Sequence, residues 1–129
     1  MKFALIAVAA LGISIGGLAF AGNGATQYDL TNVTLEDTSL SHYWDAYGSF
    51  VVNYVQSKNE WHYVVQVRDL PKGDYVLYVG NTEIPFTVNP SGNATIVHKC
   101  GLHKQNVLVR GQDKEGEWVN ILLHKHTKP

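Results

Sequence analysis

Beyond residue 21, the chain shows short runs in which apolar and polar residues alternate, separated by Gly, Pro, Asn and Asp. Alternation with a period of two is typical of β-strands, and no long segment keeps the 3.6-residue period of a helix. The run Trp61–Arg68 is the clearest, because all its odd positions are apolar. The pattern predicts seven or eight strands: Tyr28–Leu35, Ser49–Val55, Trp61–Arg68, Tyr75–Val79, Ile84–Val88, Ala94–His98, Asn106–Arg110 and Trp118–His124.

Turn sequences separate these runs and help to define the fold. Leu70–Asp74 contains Pro and Gly in turn positions, and Asn89–Asn93 is a second strong turn. Pro85 cannot donate a hydrogen bond to a neighbouring strand, which predicts that its strand lies at a sheet edge. Glu36–Gly48 is interpreted as a long loop that carries a helical turn. Many short strands at this spacing predict an all-β fold, a single antiparallel β-sandwich.

The first 21 residues predict a cleaved secretory signal peptide. One lysine is followed by an apolar run that ends in Ala19-Phe20-Ala21, which resembles a cleavage site. A retained membrane anchor is the alternative, since about 20 apolar residues span a bilayer. Gly and Ser residues interrupt the run and favour cleavage. We therefore expect an exported protein, in the periplasm, at the cell surface or in the medium. Residues 22–129 then form one domain with no membrane span.

Charge and cysteine content narrow the possible functions. Residues 22–95 carry eight acids and three bases, whereas residues 96–129 carry six bases and three acids. Such an asymmetry indicates a face for an anionic partner, or arises by chance. The chain lacks a continuous basic stripe, and no nucleic-acid partner is expected.

Cys100 is the only cysteine, which excludes an intramolecular disulfide. It is interpreted as a small buried residue, with an intermolecular disulfide or a metal thiolate as alternatives.

Two segments resemble a pattern of exported sandwich domains. Val67–Val79, with the sequence VRDLPKGDYVLYV, is similar to the L-P-x-G-x-Y-x-L-x-V strand–turn–strand of prealbumin-like and carboxypeptidase regulatory-like modules. Phe86–Ala94, FTVNPSGNA, resembles the F-T-V-D-x-x-G-N-A hairpin that often follows it. The resemblance implies an exported β-sandwich with a tyrosine at a sheet corner. It specifies architecture rather than chemistry.

Histidines near the C-terminus form one candidate site. His124 and His126 are two residues apart on a predicted strand, which places them on the same face. Imidazole and thiolate suit copper and zinc, so a site with either metal is conceivable. Its further ligands would come from His98, His103 and Cys100. The alternative is a polar terminal segment whose histidines face water.

An aromatic loop forms the other candidate site. Tyr43, Trp44 and Tyr47 lie close together in the loop between the first two strands. Exposed aromatic side chains stack on sugars or anchor partner proteins, but such a cluster also covers the open end of a β-core.

No catalytic motif was found, and we interpret the protein as a non-catalytic binding or structural module without a required cofactor. The partner would be a protein, a glycan or a second copy of the chain.

Overall fold

The computed structural model describes residues 26–101 and 104–126, and these residues form an all-β domain. The predicted signal peptide, residues 1–21, lies outside the described residues. A 3-10 helical segment, Thr38–Tyr43, follows the first strand, which confirms the predicted helical turn in that loop. The eight strands are β1 (Thr26–Asn32), β2 (Tyr47–Val55), β3 (Glu60–Arg68), β4 (Gly73–Val79), β5 (Thr82–Val88), β6 (Ala94–Cys100), β7 (Val107–Gln112) and β8 (Trp118–His124).

All eight strands belong to one antiparallel sheet with the order β5-β4-β7-β8-β1-β2-β3-β6. β1 joins its two halves, because Thr26–Leu30 pair with β2 whereas Thr31 and Asn32 pair with β8. The edge strands β5 and β6 approach each other, so that the sheet nearly closes on itself. The all-β prediction with seven or eight strands is confirmed. The finer assignment to a sandwich stays a prediction.

The hydrophobic core fills the space between the two halves of the sheet. Phe50, Tyr63 and Val65 from one half and Leu77 and Val109 from the other belong to a single cluster of buried side chains. Each is at most 2% exposed. Burying a large apolar side chain contributes about 1.5–3 kcal/mol, so the cluster is the main source of stability. The predicted inward face of β3 is confirmed by the burial of its alternating residues.

Local predictions for β4 and β5 are also confirmed. Pro85 lies on β5, which is an edge strand, so its missing N–H is tolerated. The Tyr75 hydroxyl donates to the Pro71 carbonyl four residues earlier, which makes Tyr75 a tyrosine at a sheet corner. The two-residue connection Gly80-Asn81 joins β4 to β5, and Gly80 has a φ of 59°. Short hairpin loops require this left-handed conformation, which favours glycine.

The antiparallel order places the connecting loops at two opposite ends of the domain. The tryptophan end consists of loops 33–46, 69–72, 89–93 and 113–117. The histidine end consists of loops 56–59, 80–81, 101–106 and residues 125–126. Strands of six to nine residues separate the two ends by about 25 Å. Within residues 26–101 and 104–126, no helix has the length and apolar character to cross a membrane.

Candidate functional site

Exposed apolar side chains concentrate at the tryptophan end. Of the residues that the structure describes, six large hydrophobic ones are exposed, and five of these lie in the tryptophan-end loops or on the strand residues next to them. Their exposed fractions range from 38% to 55%. The sixth, Val97, lies on β6. We call the five residues the apolar patch: Val33, Leu35, Trp44, Tyr47 and Trp118.

Hydrogen bonds and strand register bring the apolar patch together. The Val33 N–H donates to the Ile121 carbonyl at 2.9 Å, on the strand that begins with Trp118. The Trp44 indole N–H donates to the Thr34 carbonyl at 2.9 Å, between two other members of the patch. Tyr47 begins β2, which pairs with β1 up to Leu30 and Gly48. The backbone segments that carry these five residues therefore lie near the C-terminal end of β1.

Tyr43 is the exception among the predicted aromatic residues. Its side chain is only 4% exposed, and its hydroxyl donates to the Gln112 carbonyl at 2.6 Å. Its ring contacts Tyr75 edge-on, with 6.3 Å between the ring centroids. Tyr43 thus covers the end of the core, which was the alternative interpretation of the aromatic loop. Trp44 and Tyr47 remain available to a partner.

Asn32 fixes the loop that carries Trp44. Its side-chain amide donates to the carbonyls of Tyr43 and Ala46 at 2.8 and 2.9 Å. Its side-chain oxygen accepts from the Thr34 N–H at 2.9 Å and from the Thr34 hydroxyl at 2.6 Å. Thr34 is fully buried. Since Asn32 uses both its donor and its acceptor groups, its side chain ties the end of β1 to the loop that carries Trp44.

Carboxylates surround the apolar patch. Glu36 and Asp37 follow Leu35, Asp45 follows Trp44, and Glu117 precedes Trp118; all four are exposed. None of these carboxylates forms an ion pair with a described residue. The patch therefore has carboxylates beside it along the chain, which we call the negative rim, and one positive group, the Arg110 guanidinium, which donates to the Trp118 carbonyl at 3.3 Å.

The predicted histidine pair lies at the opposite end. The ring centroids of His124 and His126 are 5.9 Å apart, and Tyr28 contacts both rings, at 4.8 and 6.0 Å. Phe50 packs edge-on against His124 at 5.3 Å. Two imidazoles that bind one metal ion through bonds of about 2.0–2.1 Å hold their centres roughly 5–6 Å apart. The spacing of the pair is compatible with a shared metal ion.

The other predicted metal ligands do not join the pair. No three His, Cys, Asp or Glu residues within the described ranges are arranged to hold a metal ion. The buried Nε2 of His98 has no hydrogen-bond partner among the described residues. The Cys100 thiol accepts a hydrogen bond from the Gln105 amide at 3.2 Å. His103 lies outside the described residues. The metal site therefore stays a prediction that rests on His124 and His126.

No protein-family model, curated protein or solved structure matches the chain. The resemblance to prealbumin-like modules stays an interpretation of the sequence.

Three buried tyrosine side chains predict that the protein loses stability at alkaline pH. Burial raises the pKa of Tyr43, Tyr63 and Tyr75 above their ordinary value of 10.0. Above pH 10 the unfolded chain releases protons that the folded protein retains, so stability is complete below this pH and decreases above it. Each tyrosine contributes up to about 1.4 kcal/mol per pH unit. Urea denaturation at increasing pH should show this decrease.

Two substitutions separate this effect from general alkaline damage. Tyr63→Phe removes one of the three groups and should make the alkaline decrease less steep. Tyr47→Phe makes the same change at an exposed position, and its profile should match the unmodified protein. Equal profiles for all three proteins would contradict the assignment.

Two members of the apolar patch, Val33 and Leu35, were not predicted from the sequence. The sequence predicts both within the first strand, Tyr28–Leu35, whereas β1 ends at Asn32. However, Tyr28 and Leu30 occupy even positions, whereas Val33 and Leu35 occupy odd ones. This change of parity after Leu30 is the signal that could have identified the two as outward-facing, since alternate residues of a strand point to opposite faces.

Proposed function

We propose that the protein is an exported, non-catalytic binding module that engages a protein partner through the apolar patch. The observation that carries the proposal is the concentration of five exposed hydrophobic side chains at one end of the domain. Monomeric soluble proteins rarely expose contiguous apolar surface unless it binds something. Tryptophan and tyrosine are also the residues that most often dominate binding energy.

The negative rim defines the chemistry of this partner. Glu36, Asp45 and Glu117 attract basic side chains, and the indole faces of Trp44 and Trp118 accept cations. A protein segment with apolar or aromatic residues next to Lys or Arg fits both features. Electrostatic complementarity of this kind adds association rate and specificity to apolar contact.

Selection of displayed random peptides on the purified protein tests the proposal. We expect the selected peptides to combine aromatic or apolar residues with Lys or Arg. Leu35→Ser/Trp118→Ser should weaken their binding at least about tenfold, because both side chains are exposed contacts. Both positions lie on the surface, so the fold should be unaffected.

Val97→Ser is the matched control, since Val97 is equally exposed but lies outside the patch. It should leave peptide binding unchanged. Equal binding to all three proteins would place the contact elsewhere and contradict the proposal. Binding to arrayed glycans but to no peptide, lost in the double variant, would replace the protein partner by a glycan.

The spacing of His124 and His126 favours a second candidate function, the binding of one Cu²⁺ or Zn²⁺ ion. Titration calorimetry with each metal should give one equivalent for the unmodified protein and none for His124→Ala/His126→Ala. His42→Ala, at an exposed position of the tryptophan end, should bind normally. Metal binding that persists in the double variant would indicate an adventitious ion only.

A further inference from the structure

Charge is segregated between the two ends of the domain. The tryptophan-end loops carry seven acids and two lysines, Lys72 and Lys114. The histidine-end loops carry Lys58, Lys104 and Lys125, and no Asp or Glu occurs among their described residues; the adjoining ends of β3 add Glu60 there and Arg68 at the tryptophan end. The antiparallel order produces this separation. It brings Asp113, Glu115 and Glu117 of the basic C-terminal part to the acidic end, so the asymmetry along the sequence does not correspond to one face.

The histidine end also offers apolar contact area. The half-buried ring of Tyr28 lies beside His126, and Lys104 lines the same shallow depression. Lys104 and Lys125 are exposed. A lysine side chain beside an aromatic ring, as Lys104 is beside Tyr28, complements a surface in which tryptophans are flanked by carboxylates. The two ends of one molecule thus have the chemistry of two binding partners.

We infer that the partner of the apolar patch is the histidine end of a second copy of this chain. This inference rests on the proposed function, because it assigns a partner to the same surface. The two ends are about 25 Å apart at opposite ends of the strands, and one molecule cannot join its own ends. The contact is therefore head-to-tail. Each copy in such a contact keeps one free end, so association continues into chains or rings.

Analytical ultracentrifugation at two salt concentrations tests the inference. At about 0.01 M salt, where charges interact over about 30 Å, we expect oligomers that grow with protein concentration. At about 1 M salt the range falls to about 3 Å, and the apparent dissociation constant should rise at least about tenfold. A protein that stays monomeric at about 1 mM in low salt would overturn the inference.

Two variants, each with substitutions that disrupt one of the two binding ends, distinguish head-to-tail contact from other modes of association. Lys104→Glu/Lys125→Glu reverses the charge at two positions of the histidine end. Leu35→Ser/Trp118→Ser removes two apolar side chains of the apolar patch. Each variant alone should be monomeric. Their mixture should form 1:1 pairs and nothing larger, because only one intact end of each kind is present. A mixture that remains monomeric, or variants that still dimerise alone, would contradict head-to-tail contact.

Lys72→Glu/Lys114→Glu is the matched charge control. It changes the net charge as much as the histidine-end variant, but it makes the acidic end more acidic. Association should be unchanged or tighter. Loss of association in this control would show that net charge, rather than the histidine end, governs the effect.

The peptide selection separates failure of the inference from failure of the proposed function. A monomeric protein that still binds peptides through Leu35 and Trp118 would refute self-association and leave the proposed function intact. Absence of both activities would refute both. Oligomers that dissociate in Leu35→Ser/Trp118→Ser but persist in Lys104→Glu/Lys125→Glu would keep the patch as an interface and refute its assignment to the histidine end.

Discussion

Replacing Asn32 by alanine should lower the free energy of unfolding by about 3 kcal/mol. The substitution removes two bonds to the carbonyls of Tyr43 and Ala46 and two bonds from Thr34. Since Tyr43, Ala46 and Thr34 are buried, water cannot easily replace these partners. Buried polar groups left without partners cost about 1–3 kcal/mol each. Urea denaturation followed by circular dichroism measures the change.

Asn32→Asp tests whether the donor groups of Asn32 matter. The carboxylate keeps the acceptor for Thr34 but brings negative charge against two carbonyl oxygens. We expect a loss at neutral pH at least as large as that of alanine. Part of it should be recovered at acid pH, because a protonated carboxyl can donate one hydrogen bond. A loss that does not depend on pH would indicate that shape, not hydrogen bonding, fixes the loop.

Asn93→Ala is the control for both substitutions. Asn93 also begins an N-x-T sequence, but it is exposed, in the turn before β6. Exposed substitutions usually change stability by less than about 0.5 kcal/mol. If Asn32→Ala and Asn93→Ala cost the same, the hydrogen-bonded centre around Asn32 does not hold the loop. Because this loop carries Trp44, Asn32→Ala should also weaken binding by the apolar patch.

The strands could be predicted because the alternation of apolar and polar residues that defines each strand lies within a few consecutive residues. Alternation in Trp61–Arg68 is visible within eight residues, and its inward residues are buried as expected. Pro85 likewise predicts an edge strand, because proline has no N–H to donate to a neighbouring strand. Strand order was not predictable in the same way. The pairing of β1 with β8 joins residues about 90 positions apart, and nothing in either segment alone selects this neighbour.

The candidate site was only partly predictable for the same reason. Trp44 and Tyr47 attracted attention through composition, but Tyr43 in the same run is buried against Tyr75 and Gln112. Which of these aromatic residues faces solvent depends on contacts with β4 and β7. The opposite charges of the two ends could not be predicted from the sequence either, because strand order decides which loops are neighbours. The HxH pair was visible, since its spacing fixes a common face.

Replacing Gly111 by alanine should lower the free energy of unfolding by about 1–3 kcal/mol. Gly111 lies on β7, and a Cβ there would be 2.6 Å from Ile121 Cδ1 and 2.8 Å from Tyr75 Cε2. It would also be 2.9 Å from the Tyr43 hydroxyl. All three distances are too short for van der Waals contact. The neighbours must move, and overpacking of this kind is destabilising.

The consequences of Gly111→Ala should extend to the apolar patch. The Tyr43 hydroxyl donates to the Gln112 carbonyl, and a displaced hydroxyl weakens this bond. Tyr43 immediately precedes Trp44, so both stability and peptide binding should decrease. Gly101→Ala is the control, because a Cβ at Gly101 would meet no atom of the described residues within 4 Å. Its stability should be unchanged or slightly higher, since alanine restricts the unfolded chain. Equal stability of the two variants would show that the core at Gly111 has room for a methyl group. The close packing of Tyr43 against β4 and β7 would then not be what holds the patch in place.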